Sequence, residues 1–430
     1  MNKIPLVRGL LPWAILIGLF CPAGNGRAAE SPTLGLDQAV ALALRNQPQL
    51  ERLTARIHEA EAGATAEGEL PDPRLTLGLA NLPVDSLALT REDMTQAMVG
   101  ISQMIPGGRK RQLASQRMRV EAGRTGAELE AVRRRIARDT AQAWLNLYYP
   151  GQALGLLERI DREYDREVDW ATVALASGDM SQADTLALRM MRAFLQDQIA
   201  DMGREEARAR AEMQRWTGAS ADGTRAEGNL PEAPALDGSR APQVLDTHPE
   251  LAILRRGVDL ARSEADLARE AYKPDWEVEV AYGLRGGGRT DMLSVQVGVE
   301  LPLFPKNRQD RRLASRLAAV DSAGQELEDR RRELAAGLAA AQAEWEAANR
   351  RIAHFDNAIL PLAQRRVEST LVAYRTGKSA YSVVLEARRA ELEARMQMLR
   401  QQVARARAAI DLRYYLTDPA DTPPSPGSVK

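Results

Sequence analysis

"PDPRLTLGLANLP", residues 71–83, decides how this chain is read. Leu75, Leu77 and Leu79 alternate with Arg74, Thr76 and Gly78, the two-residue period of a half-buried β-strand. The surrounding sequence reads instead as long, charged helix. A related stretch returns two hundred residues later as "KPDWEVEVAYGLRGGG", 273–288.

The return belongs to an internal duplication. Pro48 matches Pro249 and Pro73 matches Pro274, both at an offset of 201. "RQLAS" at 111–115 returns as "RRLAS" at 311–315, offset 200, and the turns at Gly178 and Gly377 are offset by 199, as are Trp216 and Tyr415. Ordered landmarks with so little drift mark a repeat. The expected plan is a first unit at 29–216, an irregular Gly/Pro/Ala-rich connector at 217–242, a second unit at 243–416 and a disordered tail at 417–430. Each unit begins with a helix (about 48–70; 248–272). Two strands follow (about 74–82 and 96–105; 275–284 and 292–303), and then a very long helix (about 109–176; 308–375). A glycine turn leads to a returning helix (about 181–215; 379–416). The first long helix would span roughly 100 Å, more than a compact domain holds. Pro150 is expected to kink or break it, and Pro361 stands in the second unit.

The first 28 residues read as a secretory signal peptide. Lys3 and Arg8 precede the apolar run Gly9–Phe20, and small residues follow up to Ala28 and Ala29. Cleavage after Ala28 removes Lys3, Arg8 and Arg27 and no acid, moving the formal charge from −1 to −4. Cys21, the only cysteine, would leave with it; bulky Phe20 before it fits poorly with lipidation. The near-neutral charge sets up no field for nucleic acid. Aromatic residues make up only 4% of the chain, which suits helices packed through small side chains.

No later apolar run is long enough for a membrane helix, so the remaining route through a bilayer is a closed β-barrel. Trp276, Val278, Val280 and Tyr282 oppose Asp275, Glu277 and Glu279; Leu293, Val295, Val297, Val299 and Leu301 oppose Ser294, Gln296, Gly298 and Glu300. In the second strand Met98 and Met104 interrupt the alternation. Four strands per chain are too few for one barrel, so the barrel must be shared between subunits. A soluble sheet packed on a core is the competing reading. Gly286–Gly288 lies between two strands and lacks the Lys-Ser/Thr and helix of a phosphate loop; a flexible hairpin tip is expected there.

The arrangement resembles the TolC family of outer-membrane efflux ducts. "LDQAVALALRNQPQL", "LPDPRLTLG", "VGISQMIPGGRKRQLAS" and the two glycine turns carry the resemblance. It implies a mainly α fold with a transmembrane β-barrel contribution. Two β-hairpins and two long coiled-coil helical hairpins would assemble as a homotrimer with a 12-stranded barrel in the outer membrane of a Gram-negative bacterium. The helices would stand in the periplasm. It implies, as partners, a periplasmic adaptor and an inner-membrane pump of the RND type. "PDPRLTLGLANLPVD…MTQAMVGISQMIP" is most similar to ducts of copper/silver or cobalt-zinc-cadmium pumps. An outer-membrane duct for type I protein secretion and a periplasmic coiled-coil scaffold are the alternatives.

No catalytic constellation, nucleotide motif or cofactor site is legible, so no enzyme is expected. His58, His248 and His354 are scattered and form no metal-binding spacing, and Met190 and Met191 read as packing. Gly178 and Gly377 supply the left-handed turns of the helical hairpins. By resemblance, Ser177, Gly178 and Ser181, with Thr376, Gly377 and Ser379, are adaptor-docking tips. "SVVLEA" at 382–387 is similar to a family segment with two pore acids; Val383 replaces the first, and Glu386 keeps the second. Glu386, with Asp184 beyond the first tip, is therefore a candidate pore gate, against the plainer reading of solvated helix charge. Arg109, Lys110, Arg111, Lys306 and Arg308 follow the strands and are expected where barrel meets helix, with lipid headgroups or water as their surroundings.

Overall fold

The computed structural model describes residues 33–218, 223–234 and 241–416. The signal segment with Cys21, part of the connector and the tail lie outside the described residues. In the first half, β1 (Thr33–Leu34), α1 (Leu36–Arg45) and α2 (Pro48–Ala66) precede β2 (Arg74–Ala80) and β3 (Gln96–Ile105). The hairpin α3 (Lys110–Ser177) and α4 (Gln182–Thr217) follows. After β4 (Arg225–Ala226) come α5 (Ala241–Asp246), α6 (Pro249–Glu270), β5 (Trp276–Leu284) and β6 (Met292–Val299). The second hairpin is α7 (Gln309–His354), a π-helical turn at Phe355–Ile359, α8 (Leu360–Arg375) and α9 (Tyr381–Leu416).

The duplication is visible in the order of neighbours. The sheet runs β2-β3-β5-β6, antiparallel throughout, and α2, α3, α6 and α7 pack beneath it in the same order. The register aligns apolar rows across all four strands. Leu75, Ile101, Val280 and Val295 form one row; Leu77, Val99, Tyr282 and Leu293 form the next. The opposite face carries Arg74, Ser102, Glu279 and Gln296 in one row and Thr76, Gly100, Ala281 and Ser294 in another. Met98 and Met104 belong to this second face, while Gln103 sits among the apolar rows, which explains the uneven alternation of β3. Among the described residues no helix covers the apolar face: Leu77 and Leu293 are each 69% exposed. Among the described residues no helix is long and apolar enough to cross a membrane.

Two large cores and two smaller clusters hold the helices. In the first, Trp144, Leu145, Leu147, Met213, Val403, Ala406 and Ile410 join α3, α4 and α9 beside Ala39 of α1. The buried Trp144 indole donates from Nε1 to the Leu34 carbonyl at 2.7 Å, which ties the short parallel β1–β4 pair to the helices. In the second, Leu157, Tyr164, Ala171, Leu188, Leu195, Val384 and Leu385 pack towards the hairpin ends.

Several expectations are corrected. The sequence shows no sign of β1 and β4, whose two-residue pairing depends on chain far apart in sequence, and α1 stands as a helix separate from α2. Pro150 does not break α3, which continues through it; the proline is buried, with α4 and α9 packed along the same helix. The helical irregularity lies in the second half, where the π turn at Phe355–Ile359 leads into Pro361 at the start of α8. β6 stops at Val299, before Pro302, which cannot donate to a ladder. The Gly286–Gly288 tip is fastened: Arg289 donates to the Thr90 carbonyl at 3.1 Å and pairs with Asp93 at 2.7 Å, and Arg285 donates to the Asp93 carbonyl.

Candidate functional site: sheet, joint and helical tips

Three regions of the fold hold the residues that the sequence singles out. The first is the four-stranded sheet itself, open at both edges, β2 and β6. Because each neighbouring pair is antiparallel, β6 of one chain runs antiparallel to β2 of an identical chain, so copies can be joined edge to edge.

The second is the joint where strands become helices. Gly107 and Gly108 end the turn after β3 and lie on the segment entering β5. The Gly107 N–H donates to Asp275 Oδ1 at 2.6 Å, and Lys110 Nζ reaches the same oxygen at 2.6 Å while donating to the Lys273 carbonyl. Burial by itself would raise the Asp275 pKa; the Lys110 ammonium and the Gly107 N–H outweigh it, and the net shift is downward. Glu270 accepts from the Arg109 N–H at 2.9 Å and from Lys273 Nζ, and these donors, the backbone one foremost, hold its carboxyl below the usual range. Arg111 donates to the Gly68 carbonyl at 3.2 Å. Arg109, Lys110 and Arg111 are thus engaged with the protein, whereas Lys306 and Arg308, in the corresponding turn, are exposed and make no ion pair among the described residues. Sequence reading missed Glu270 and Asp275, because their partners lie more than 160 residues away.

The third is the pair of helical tips. Gly178 (φ +82°) and Gly377 (φ +70°) both adopt the left-handed conformation. At the first tip, Asp179 N bonds back to the Ala174 carbonyl at 2.8 Å and the Ser177 hydroxyl donates to Asp179. Ser181 caps α4 by accepting from the Asp184 N–H at 3.0 Å. At the second, Lys378 N bonds to the Ala373 carbonyl at 2.9 Å, and the Thr376 hydroxyl donates to the Val372 carbonyl. Among the described residues Ser379 makes a single 3.3 Å contact, with the neighbouring carbonyl of Ala380. Asp184 joins the tips: Oδ2 accepts from the Ser181 hydroxyl at 2.7 Å and Oδ1 from the Ser382 N–H at 3.3 Å, at the start of α9. Glu386 is exposed on α9, one turn further along.

Behind the tips, Glu167 of α3 accepts from the Tyr381 hydroxyl at 2.8 Å and from Arg388, both on α9. Burial, then the Glu167 charge, pushes the Tyr381 hydroxyl far up; burial takes Tyr164 alongside to about 12. The only sequence signal for this clamp is that Tyr381 and Arg388, seven residues apart, share one helix face. His248 is a structural residue: its Nδ1 accepts from the Glu250 N–H at 3.3 Å at the N-cap of α6, which leaves Nε2 to donate to the Tyr414 carbonyl at 3.2 Å. No group of three or more His, Cys, Asp or Glu is placed to hold a metal among the described residues.

An open antiparallel sheet with a bare apolar face, set on helices roughly 100 Å long, defines the class: a membrane channel component with a helical stalk. Residues 241–417 match the family described as outer membrane efflux protein. The chain is 24% identical over 379 residues, 87% of each sequence, to the cobalt-zinc-cadmium resistance protein CzcC of Cupriavidus metallidurans. Its fold is similar to crystal structures of CusC, reported for folding and transmembrane channel formation, with a TM-score of 0.76, 20% identity and coverage of 89% of this chain and 92% of that one. The Campylobacter jejuni CmeC outer membrane channel gives a TM-score of 0.74 at 15% identity, covering 89% and 85%. The second half of the chain thus carries the match to the outer membrane efflux proteins, the whole fold is similar to that of the CusC and CmeC channels, and these likenesses support an outer-membrane location.

Proposed function

We propose that three copies of the chain close a twelve-stranded barrel and form the outer-membrane duct of a tripartite efflux system, a passive exit for small solutes. The observation that carries this is the open four-stranded sheet, with both edges free and one apolar face uncovered. Two copies would give eight strands and a lumen filled by side chains; three leave room for water. The tips at Ser177, Gly178 and Ser181, and at Thr376, Gly377 and Ser379, all exposed except half-buried Ser379, are the docking points for a periplasmic adaptor that links the duct to an inner-membrane pump. The relationship to a cobalt-zinc-cadmium resistance protein supports heavy-metal cations as cargo. Glu386, repeated three times about the axis, would form an acidic ring favouring cations; Asp184 acts beside it by holding the tips together. Lys306 and Arg308 stand at the membrane rim with Arg109, Lys110 and Arg111.

The test is the mass and single-channel conductance of the detergent-extracted protein. A trimer conducting in planar bilayers, with cation selectivity reduced by Glu386→Gln, is expected. A water-soluble monomer without conductance refutes the duct, and unchanged selectivity removes Glu386 from the mechanism.

A further inference from the structure

The joint between β3 and α3 is made twice in the duplicated sequence but completed only once within a chain. In the first half it closes on the segment entering β5, through Lys110–Asp275 at 2.6 Å and Arg109–Glu270. The corresponding turn between β6 and α7 meets no such segment, because β6 is an edge strand. The helices show the same asymmetry: central α3 is buried along its length, α7 buries only Gln309, Leu334, Ala341 and Ala348, and α8 buries none.

The offsets identify the missing contacts. At 201, Glu270, Lys273 and Asp275 correspond to Glu69, Asp72 and Arg74, which enter β2; at 200, Gly108 and Lys110 correspond to Arg308 and Asp310. The Lys110–Asp275 pair therefore has a counterpart of opposite polarity, Asp310 with Arg74. A second exchange compensates the first. A side chain at Gly108 would point at Glu270 and Lys273, which neutralise each other. At the other joint that position is Arg308, and the residues it would face are two acids, Glu69 and Asp72. Glu69, Asp72, Arg74 and Arg308 are all exposed and without an ion pair among the described residues. Among the described residues Asp310 has one partner, the Tyr272 hydroxyl on Oδ1, which leaves Oδ2 open.

We propose that this edge is completed by a second copy of the chain, with Asp310 of one copy paired to Arg74 of the next and Arg308 set against Glu69 and Asp72 of the next. The strand order supports that occupant, since β6 and β2 are the two free edges and run in the sense that pairs them. The inference rests on the assembly reading above and adds its register. The reversed polarity also makes the joint selective. Lys110 and Asp310 cannot exchange partners, so a chain cannot join the wrong half of its neighbour without opposing like charges.

The test places Arg74→Cys and Asp310→Cys in one chain carrying Cys21→Ser, with membranes treated with a short bismaleimide. Covalent dimers and trimers on denaturing gels are expected for the double variant and absent for each single variant. Monomers only, in membranes where a lysine-reactive reagent links wild-type chains, overturn the joint while the assembly stands. Monomers with both reagents overturn the assembly and the joint together. In a second measurement, Arg74→Asp and Asp310→Arg each lower the fraction of oligomer surviving warm detergent several-fold, and the combined variant restores it; equal survival of all three counts against the pairing.

Discussion

Gly107 is the tightest point of the joint, and Gly107→Ala measures how much the joint matters. A methyl carbon there would stand 1.9 Å from the Pro274 carbonyl oxygen and 2.8 Å from its carbon. Both atoms are backbone, so no rotamer relieves the clash. The two segments must separate by more than 1 Å, roughly, to reach ordinary contact. Separation strains or breaks the 2.6 Å bond from Gly107 N to Asp275 and the 2.6 Å Lys110–Asp275 contact on the same oxygen. Overpacking costs about 1–3 kcal/mol and a hydrogen bond to a charged group about 1.5–3. A loss of about 3 kcal/mol is expected, on the order of a hundredfold in the folding equilibrium. Two comparisons isolate the cause. Gly108 has φ +66°, but its nearest neighbours are the movable ends of Glu270 and Lys273, so Gly108→Ala should cost less, about 1–2 kcal/mol. Gly126, inside α3 with nothing within 4 Å, should tolerate alanine with a gain of about 0.5–1 kcal/mol. Denaturant midpoints of the detergent-solubilised protein, followed by helical circular dichroism, give the order Gly107→Ala, Gly108→Ala, wild type, Gly126→Ala from least to most stable. Gly107→Ala as stable as wild type would refute the reasoning.

Trp144→Ala removes a fully buried indole and its bond to Leu34, and should cost about 3–5 kcal/mol in the same titration. Glu167→Gln leaves Arg388 partly buried without its counter-ion and should cost about 3 kcal/mol; Glu167→Met combined with Arg388→Met recovers most of it, with protease cleavage near the tips as the readout. Burial, reinforced by Arg134, lowers the His248 pKa from 6.5 to about 4, so the fold favours the neutral ring. The stability it contributes is full above pH 6.5 and is lost as pH falls through about 4, by up to about 3 kcal/mol. The Glu250 carboxyl, held low by the Tyr414 hydroxyl and Arg330 against its burial, adds to the same acid limb. His248→Asn, which keeps a capping acceptor, should flatten that limb without removing it.

Much of the fold is legible in the sequence because it is written in local periods. The alternation of β2, β5 and β6, the long charged helices, the turn glycines and the two-hundred-residue echo each depend on neighbours a few residues apart or on direct comparison of the halves. Whether the apolar strands lie on a soluble core was left open by these periods, and the structure decided it: among the described residues no helix covers them. Less visible was anything created by packing. Pro150 reads as a breaker in isolation, yet the helix continues through it, buried and with α4 and α9 packed along its length. The basic run after β3 reads as a rim patch, yet Lys110 is committed to Asp275. Asp184 reads as a candidate pore acid, and its oxygens are taken by Ser181 and Ser382.

By itself the sequence determined the repeat, the element types and which face of each strand is apolar, since those are set by residue period and side-chain chemistry along a local stretch. Only the tertiary structure decided which strands are edges, which charges are already paired and which glycine cannot carry a side chain. At the joint these are relations between segments brought together from 160 or more residues apart, as Gly107 and Asp275 are. Distance in sequence carries no record of it until the chain is folded.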